Sequence, residues 1–146
     1  MRGRIVLGLG GTVDYELEWD AEAFQRLVDE YGIHLAEVEG DPPPVVADER
    51  GMALAVLRSM RWARGCEHYV EDASRLLAFG AHFRHRVTLG GTCVRAALAM
   101  SRIGVGATVH LVSISEEVRR RLPEGVSWLC SAEEDSLDPH VIVQYP

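Results

Sequence analysis

The chain has 146 residues, 47% of them hydrophobic, with 15 Lys plus Arg against 22 Asp plus Glu and a net charge of -7. That length supports one core, or part of a larger one. The acidic balance argues against a general nucleic-acid binder, because phosphate backbones are held mainly by excess Lys and Arg. Every basic residue is arginine, which together with the many alanines reads as a compositional bias of the source more than as chemistry. Cys66, Cys93 and Cys130 are odd in number and widely spaced, with no CxxC pair. They predict a reduced, cytoplasmic protein rather than a disulfide scaffold or zinc site. No apolar run approaches the ~20 residues that span a bilayer, and Met1-Arg-Gly-Arg4 leads into only the short apolar run Ile5–Leu9.

That run, ended by Gly10-Gly11, is expected to be a central parallel strand covered on both faces, with Asp14 just past its ligand-presenting end. Ala23, Phe24, Leu27, Val28 and Tyr31 share one helical face, so Asp20–Tyr31 predicts a surface helix begun by Asp20 and closed by Gly32. Pro42-Pro43-Pro44 predicts an extended linker. Met52, Leu54, Ala55, Leu57, Met60 and Trp62 predict a helix over 51–64, and a second, short one follows around Glu71–Phe79.

The stretch Arg86–Val105 carries the most information. Val87 and Leu89 alternate with Thr88 as in a strand, and Gly90-Gly91 permits a tight turn. Ala97, Leu98, Met100 and Ile103 then recur at helical spacing until Gly104. The free N–H groups opening such a helix form a site for hydroxyls or an anion. Downstream, Ala107–Val112 and Val126–Cys130 read as strands. Glu116–Leu122 reads as a short helix capped by Ser115 and stopped by Pro123, and His140–Pro146 has strand composition. Strand and helix alternate, which predicts a βαβ arrangement on a parallel sheet. Arginine dominates the middle of the chain and acid its two ends, so the middle offers the better field for an anionic ligand.

Several clusters have plainer readings. His82, Arg84, His85 and Arg86 fit a solvated start of a strand, and Asp14, Glu16 and Glu18 fit a solvated strand face better than a metal cluster. Cys93 has no base partner nearby in sequence and reads as structural. Trp19, Trp62 and Trp128 are scattered packing residues.

Gly90-Gly91, Ala97 and the Ala-rich helix ending at Ile103-Gly104 resemble the GGxxxNxA signature of ribokinase-like sugar kinases. The chain is more similar still to the ADP-dependent phosphofructokinase and glucokinase family. Gly8-Leu-Gly-Gly-Thr-Val-Asp14 resembles that family's GxNxNxD at Gly8 and Asp14, and Ala55–Met60 resembles RLLWSM. Gly125–Leu129 resembles its short strand after a Gly-Val turn, and His140–Tyr145 its lid strand HxIFEF. The resemblance implies a ribokinase-like, Rossmann-like α/β three-layer sandwich, of which residues 1–146 are the N-terminal, sugar-binding portion. Segments of about 12–50 and 131–146 would contribute to a small β lid. It further implies phosphoryl transfer from ADP, with magnesium, to a sugar hydroxyl. Asp14, Gly90 and Gly91 would contact the sugar, and Thr12, Thr92, Arg95 and Gln144 complete the expected substrate contacts.

Departures from the family qualify that expectation. Gly10 and Thr12 replace its Asn positions, and Arg95 stands at the ribokinase Asn, where a guanidinium suits a sugar phosphate more than a neutral sugar. The family's catalytic base and nucleotide site belong to a GAGD-like motif in its C-terminal half, which this sequence lacks. No catalytic residue or metal ligand is therefore expected here. ADP and magnesium sites would come from a C-terminal portion, and self-association or a partner chain supplying that half is expected. The alternative is a non-catalytic sugar-binding or interaction module of the same fold. A dinucleotide-binding domain is less well matched, since Gly8-Leu-Gly-Gly11 has no third glycine.

Overall fold

The computed structural model describes residues 5–41, 45–137 and 139–145, so the expected linker Pro42–Pro44 lies outside the described residues. In chain order the elements are β1 (Val6–Gly10), β2 (Thr12–Leu17), α1 (Ala21–Glu30), α2 (Leu35–Val38), β3 (Val45–Val46), α3 (Glu49–Arg61) and β4 (Tyr69–Val70). They continue as α4 (Ala73–Ala81), β5 (His85–Gly90), α5 (Thr92–Arg102), β6 (Ala107–Leu111), α6 (Glu116–Arg121), β7 (Val126–Cys130) and β8 (Pro139–Val143). The fold is mixed α/β, with sheets ordered β1-β6-β7, β5-β2-β8 and β3-β4. Two compact units divide the chain, Met1–Tyr15 with Val87–His140, and Glu16–Arg86 with Val141–Pro146. The chain passes from one to the other within β2, β5 and β8.

The first unit is built on β6. It pairs in parallel with β1 (Val6 opposite Thr108) and with β7 (Val109 opposite Trp128). Ala107, Val109 and Leu111 alternate along β6 and are buried with Cys93, Val94 and Ala97 of α5 and Val118 of α6. This is the period-2 pattern of a strand meeting the apolar stripe of a helix. One expectation fails: β1 is an edge strand of its sheet, with Val6 62% and Leu9 68% exposed. Its unbroken apolar run is compatible with burial on both faces but does not by itself supply a covering layer. Asp14 does follow the end of β1, and because the chain resumes extended structure directly after Gly11, it sits within β2.

The second unit is held by side-chain packing. Asp20 caps α1 by accepting from the Ala23 N–H at 2.9 Å, which fixes the turn that turns Ala23, Phe24 and Leu27 inward. They meet Met52, Ala53 and Ala55 of α3, and Phe79 and Phe83 close the cluster with ring centroids 5.6 Å apart. Trp19 lies 5.3 Å from Phe24. The helix expected over 51–64 begins instead at Glu49, because Asp48 accepts from the Gly51 N–H at 2.7 Å, and ends at Arg61, leaving Trp62 outside it. At α6, Ser115 holds the N-cap position, but its hydroxyl is buried without a hydrogen bond, so its expected side-chain cap does not form.

Candidate functional site

Two glycine turns bring the site together within the first unit. Gly90 ends β5 against β2 so closely that a Cβ there would lie 2.2 Å from Thr12 Oγ1 and 2.3 and 2.4 Å from the Asp14 carboxylate oxygens. Only glycine fits. Gly91 has φ of +87° and is the N-cap of α5, and a Cβ on it would lie 2.8 Å from the Gly11 backbone nitrogen. The turns after β1 and β5 therefore meet backbone to backbone, with hydrogen atoms where side chains would otherwise stand.

Asp14 lies at the centre. Its side chain is 5% exposed, and Thr12 Oγ1 donates to its Oδ1 at 2.8 Å. Thr12 and Asp14 are two residues apart in β2 and so share a face of the strand. Arg95 is one turn into α5, its N–H bonded to Gly91 O at 2.9 Å, and its Nη2 donates to Asp14 Oδ2 at 2.9 Å. A carboxylate withdrawn from water needs such partners, because an unpaired buried charge is strongly destabilising. His140 Nδ1 stands 3.8 Å from Asp14 Oδ1. The two partners differ sharply in exposure. The Arg95 side chain is 56% exposed, so the guanidinium faces solvent over a carboxylate that does not. Thr92 opens α5 and is exposed.

Thr12, Asp14, Gly90, Gly91, Thr92 and Arg95 thus belong to one unit, five of them tied by the contacts above and Thr92 adjoining them in the chain. Gln144 is exposed and belongs to the second unit, one residue beyond β8. The clusters set aside in sequence pair off locally. Arg86 pairs with Glu16, and His82 Nε2 lies 3.0 Å from Glu49 Oε2. Cys93 is buried, with its Sγ facing Gly10. Sequence reasoning missed Gly11 and His140 as parts of the site. Gly11 was visible as the second glycine of the first turn, and His140 as the first residue of the segment resembling a lid strand.

The arrangement can accept hydrogen bonds from hydroxyls at a carboxylate and donate them to an oxyanion at a guanidinium. It is poorly suited to a metal. Among the described residues no group of three or more His, Cys, Asp or Glu side chains is placed to hold one, and the Asp14 oxygens already serve Thr12 and Arg95. The described residues of the site thus do not fit magnesium. No described helix is long and apolar enough to cross a membrane.

The chain is similar in structure to a phosphofructokinase from Pyrococcus horikoshii OT3 solved with AMP. The TM-score is 0.66, at 13% identity over 86% of this chain and 28% of that one. It is also similar to a hypothetical ADP-dependent phosphofructokinase from the same organism, with a TM-score of 0.70 at 14% identity over 96% of this chain and 35% of that one. This chain shares the fold of ADP-dependent phosphofructokinases. It spans about a third of the length of those chains. No protein-family profile matches it, and no curated protein does. What is common to the phosphofructokinases and this chain is therefore the order and path of the backbone.

Proposed function

We propose that this chain is the sugar-binding part of a kinase of the phosphofructokinase fold, with Asp14 accepting from sugar hydroxyls and Arg95 binding the phosphate of a hexose phosphate. The observation that carries the reading is the buried Asp14 carboxylate held between Gly90 and the solvent-facing Arg95 guanidinium. Glycine at position 90 leaves room for the Thr12 hydroxyl and the Asp14 carboxylate to lie against the turn. A phosphate would reach Arg95 first. Its binding there would draw the guanidinium off Asp14 and open the carboxylate to the ring hydroxyls, an exchange of one charge-assisted pair for another.

In this reading the lid comes from segments of about 12–50 and 131–146, where Gln144 would serve as a contact. Phosphoryl transfer from ADP would need a nucleotide portion beyond the residues described. Transfer is mostly positioning and electrostatics, and this site positions only the acceptor. Calorimetric titrations with fructose 6-phosphate, glucose and ADP test the reading. Fructose 6-phosphate should bind, and Asp14→Ala should abolish that binding. Arg95→Ala should weaken the sugar phosphate at least about 10-fold without weakening glucose, since one charge-assisted contact is worth about 1.5–3 kcal/mol. Equal loss for both sugars would remove the anionic acceptor. A folded chain that binds neither sugar would overturn the proposal and favour an interaction module.

A further inference from the structure

A second side-chain cluster lies in the unit without Asp14, beyond the C-terminal end of α3. Cys66 is exposed, and its Sγ lies 3.0 Å from His68 Nε2 and 2.7 Å from Ser59 Oγ. Ser59 is buried in the last turns of α3, and its one proton goes to the Ala55 carbonyl at 2.8 Å. With its proton given to the helix, the Ser59 oxygen can only accept from the Cys66 thiol, and of the two groups at the sulfur the His68 imidazole nitrogen is the one that can take up its proton. The other two cysteines differ. Cys93 is 6% exposed, and Cys130 is half-buried with its sulfur accepting from the Ala132 N–H at 3.3 Å. Neither has an imidazole against it in the contacts described.

We propose that Cys66 and His68 form a thiol-modification site that takes low-molecular-weight disulfides. His68 Nε2 removes the thiol proton as Cys66 Sγ attacks one sulfur of the disulfide R–S–S–R. The S–S bond breaks, a new one forms between Cys66 and SR, and the second sulfur leaves as RS⁻ and takes the proton from His68. Protein thiol plus disulfide thus becomes mixed disulfide plus small thiol. Cys66 is oxidised, half the reagent is reduced, and no other reactant enters. Two of the three requirements of an activated thiol, a base within hydrogen-bond reach and access for the reagent, are met in one place, and the disulfide is the third.

The test is the rate of reaction of the whole folded chain with 5,5′-dithiobis(2-nitrobenzoate), followed by release of the coloured thiolate, and with oxidised glutathione, followed by mass. One sulfur should react in a fast phase that Cys66→Ser removes. Positioned bases contribute about 10²–10⁴-fold, so His68→Ala should slow that phase at least about 10-fold, and free imidazole added to His68→Ala should restore part of the rate. Rescue by imidazole separates a proton-accepting role from a merely structural one. Cys130 reacting as fast as Cys66 would overturn the proposal. So would a His68→Ala rate within twofold of wild type, or a slowed rate that imidazole leaves unchanged.

Discussion

The two units solve the same problem by opposite means. The unit of Glu16–Arg86 with Val141–Pro146 is stabilised by volume, with Phe24, Phe79, Phe83, Met52 and Leu27 filling a shared interior. The unit of Met1–Tyr15 with Val87–His140 also has an aliphatic core, but the end that carries Asp14 is made by removing volume, glycine against glycine, around one buried carboxylate. Hydrophobic interiors accept repacking within limits, because dispersion and burial are non-directional. A backbone crossing closed to within van der Waals distance accepts nothing. The first unit should therefore be the brittle one, and brittle around Asp14.

The comparison can be broken most directly at Gly90. Gly90→Ala places a methyl 2.2–2.4 Å from the side-chain oxygens of Thr12 and Asp14, which must swing away and break the pairing of the buried carboxylate, and should cost about 3 kcal/mol, the upper end for overpacking. A cost below about 1 kcal/mol in denaturant titration would show that the turn has slack, and the contrast would fail. Phe79→Leu in the other unit, a far larger change in shape, should cost only about 1–1.5 kcal/mol if that core repacks. A loss as large as that of Gly90→Ala would make both units equally rigid. Asp20→Ala removes the cap of α1 and should cost about 1 kcal/mol without altering the sugar titrations.

The smallest effect belongs to Glu37. Its carboxyl is held below the ordinary value of 4.5, first by the His34 backbone N–H and then by Arg50. A lowered folded value stabilises above the unfolded value and is lost as pH falls through the folded one. Glu37→Gln should therefore lower stability by its full, small amount above about pH 5 and converge with wild type on acidification. A gap that widens in acid would reverse the assignment.

Much of this architecture is legible without coordinates, for identifiable reasons. Helices α1, α3 and α5 declare themselves by apolar residues at helical spacing. Asp20 and Gly104 mark ends of α1 and α5, because a cap is a local hydrogen bond and a positive φ is a local steric fact. The parallel β6-β7 pair follows from alternation of strand and helix, whereas β5, which the same alternation would put on that sheet, lies instead with β2 and β8, and β1 takes the place beside β6. The alternating carboxylates Asp14, Glu16 and Glu18 mark β2 as a strand face but as a solvated one, whereas Asp14 is buried, a matter of packing that the alternation does not encode. The four-residue α2 and two-residue β3 and β4 are too short to show a period. Within the site, Gly90, Gly91 and Asp14 were visible as residues, but the Arg95–Asp14 pair joins positions 81 apart. Such a contact belongs to packing of β2 on α5, which no local pattern encodes. Arg95 was read as a group for a ligand, and the structure adds that it is also the partner of Asp14.

The central claim is that a sugar phosphate binds at the Gly90 turn, and the most direct measurement is a titration of the isotope-labelled chain with fructose 6-phosphate followed by amide resonances. The account predicts saturable shifts concentrated at Thr12–Asp14 and Gly90–Arg95, with the Arg95 side-chain N–H signals moving as the guanidinium leaves Asp14. Shifts confined to other residues, or none at saturating ligand while the chain stays folded, would contradict it.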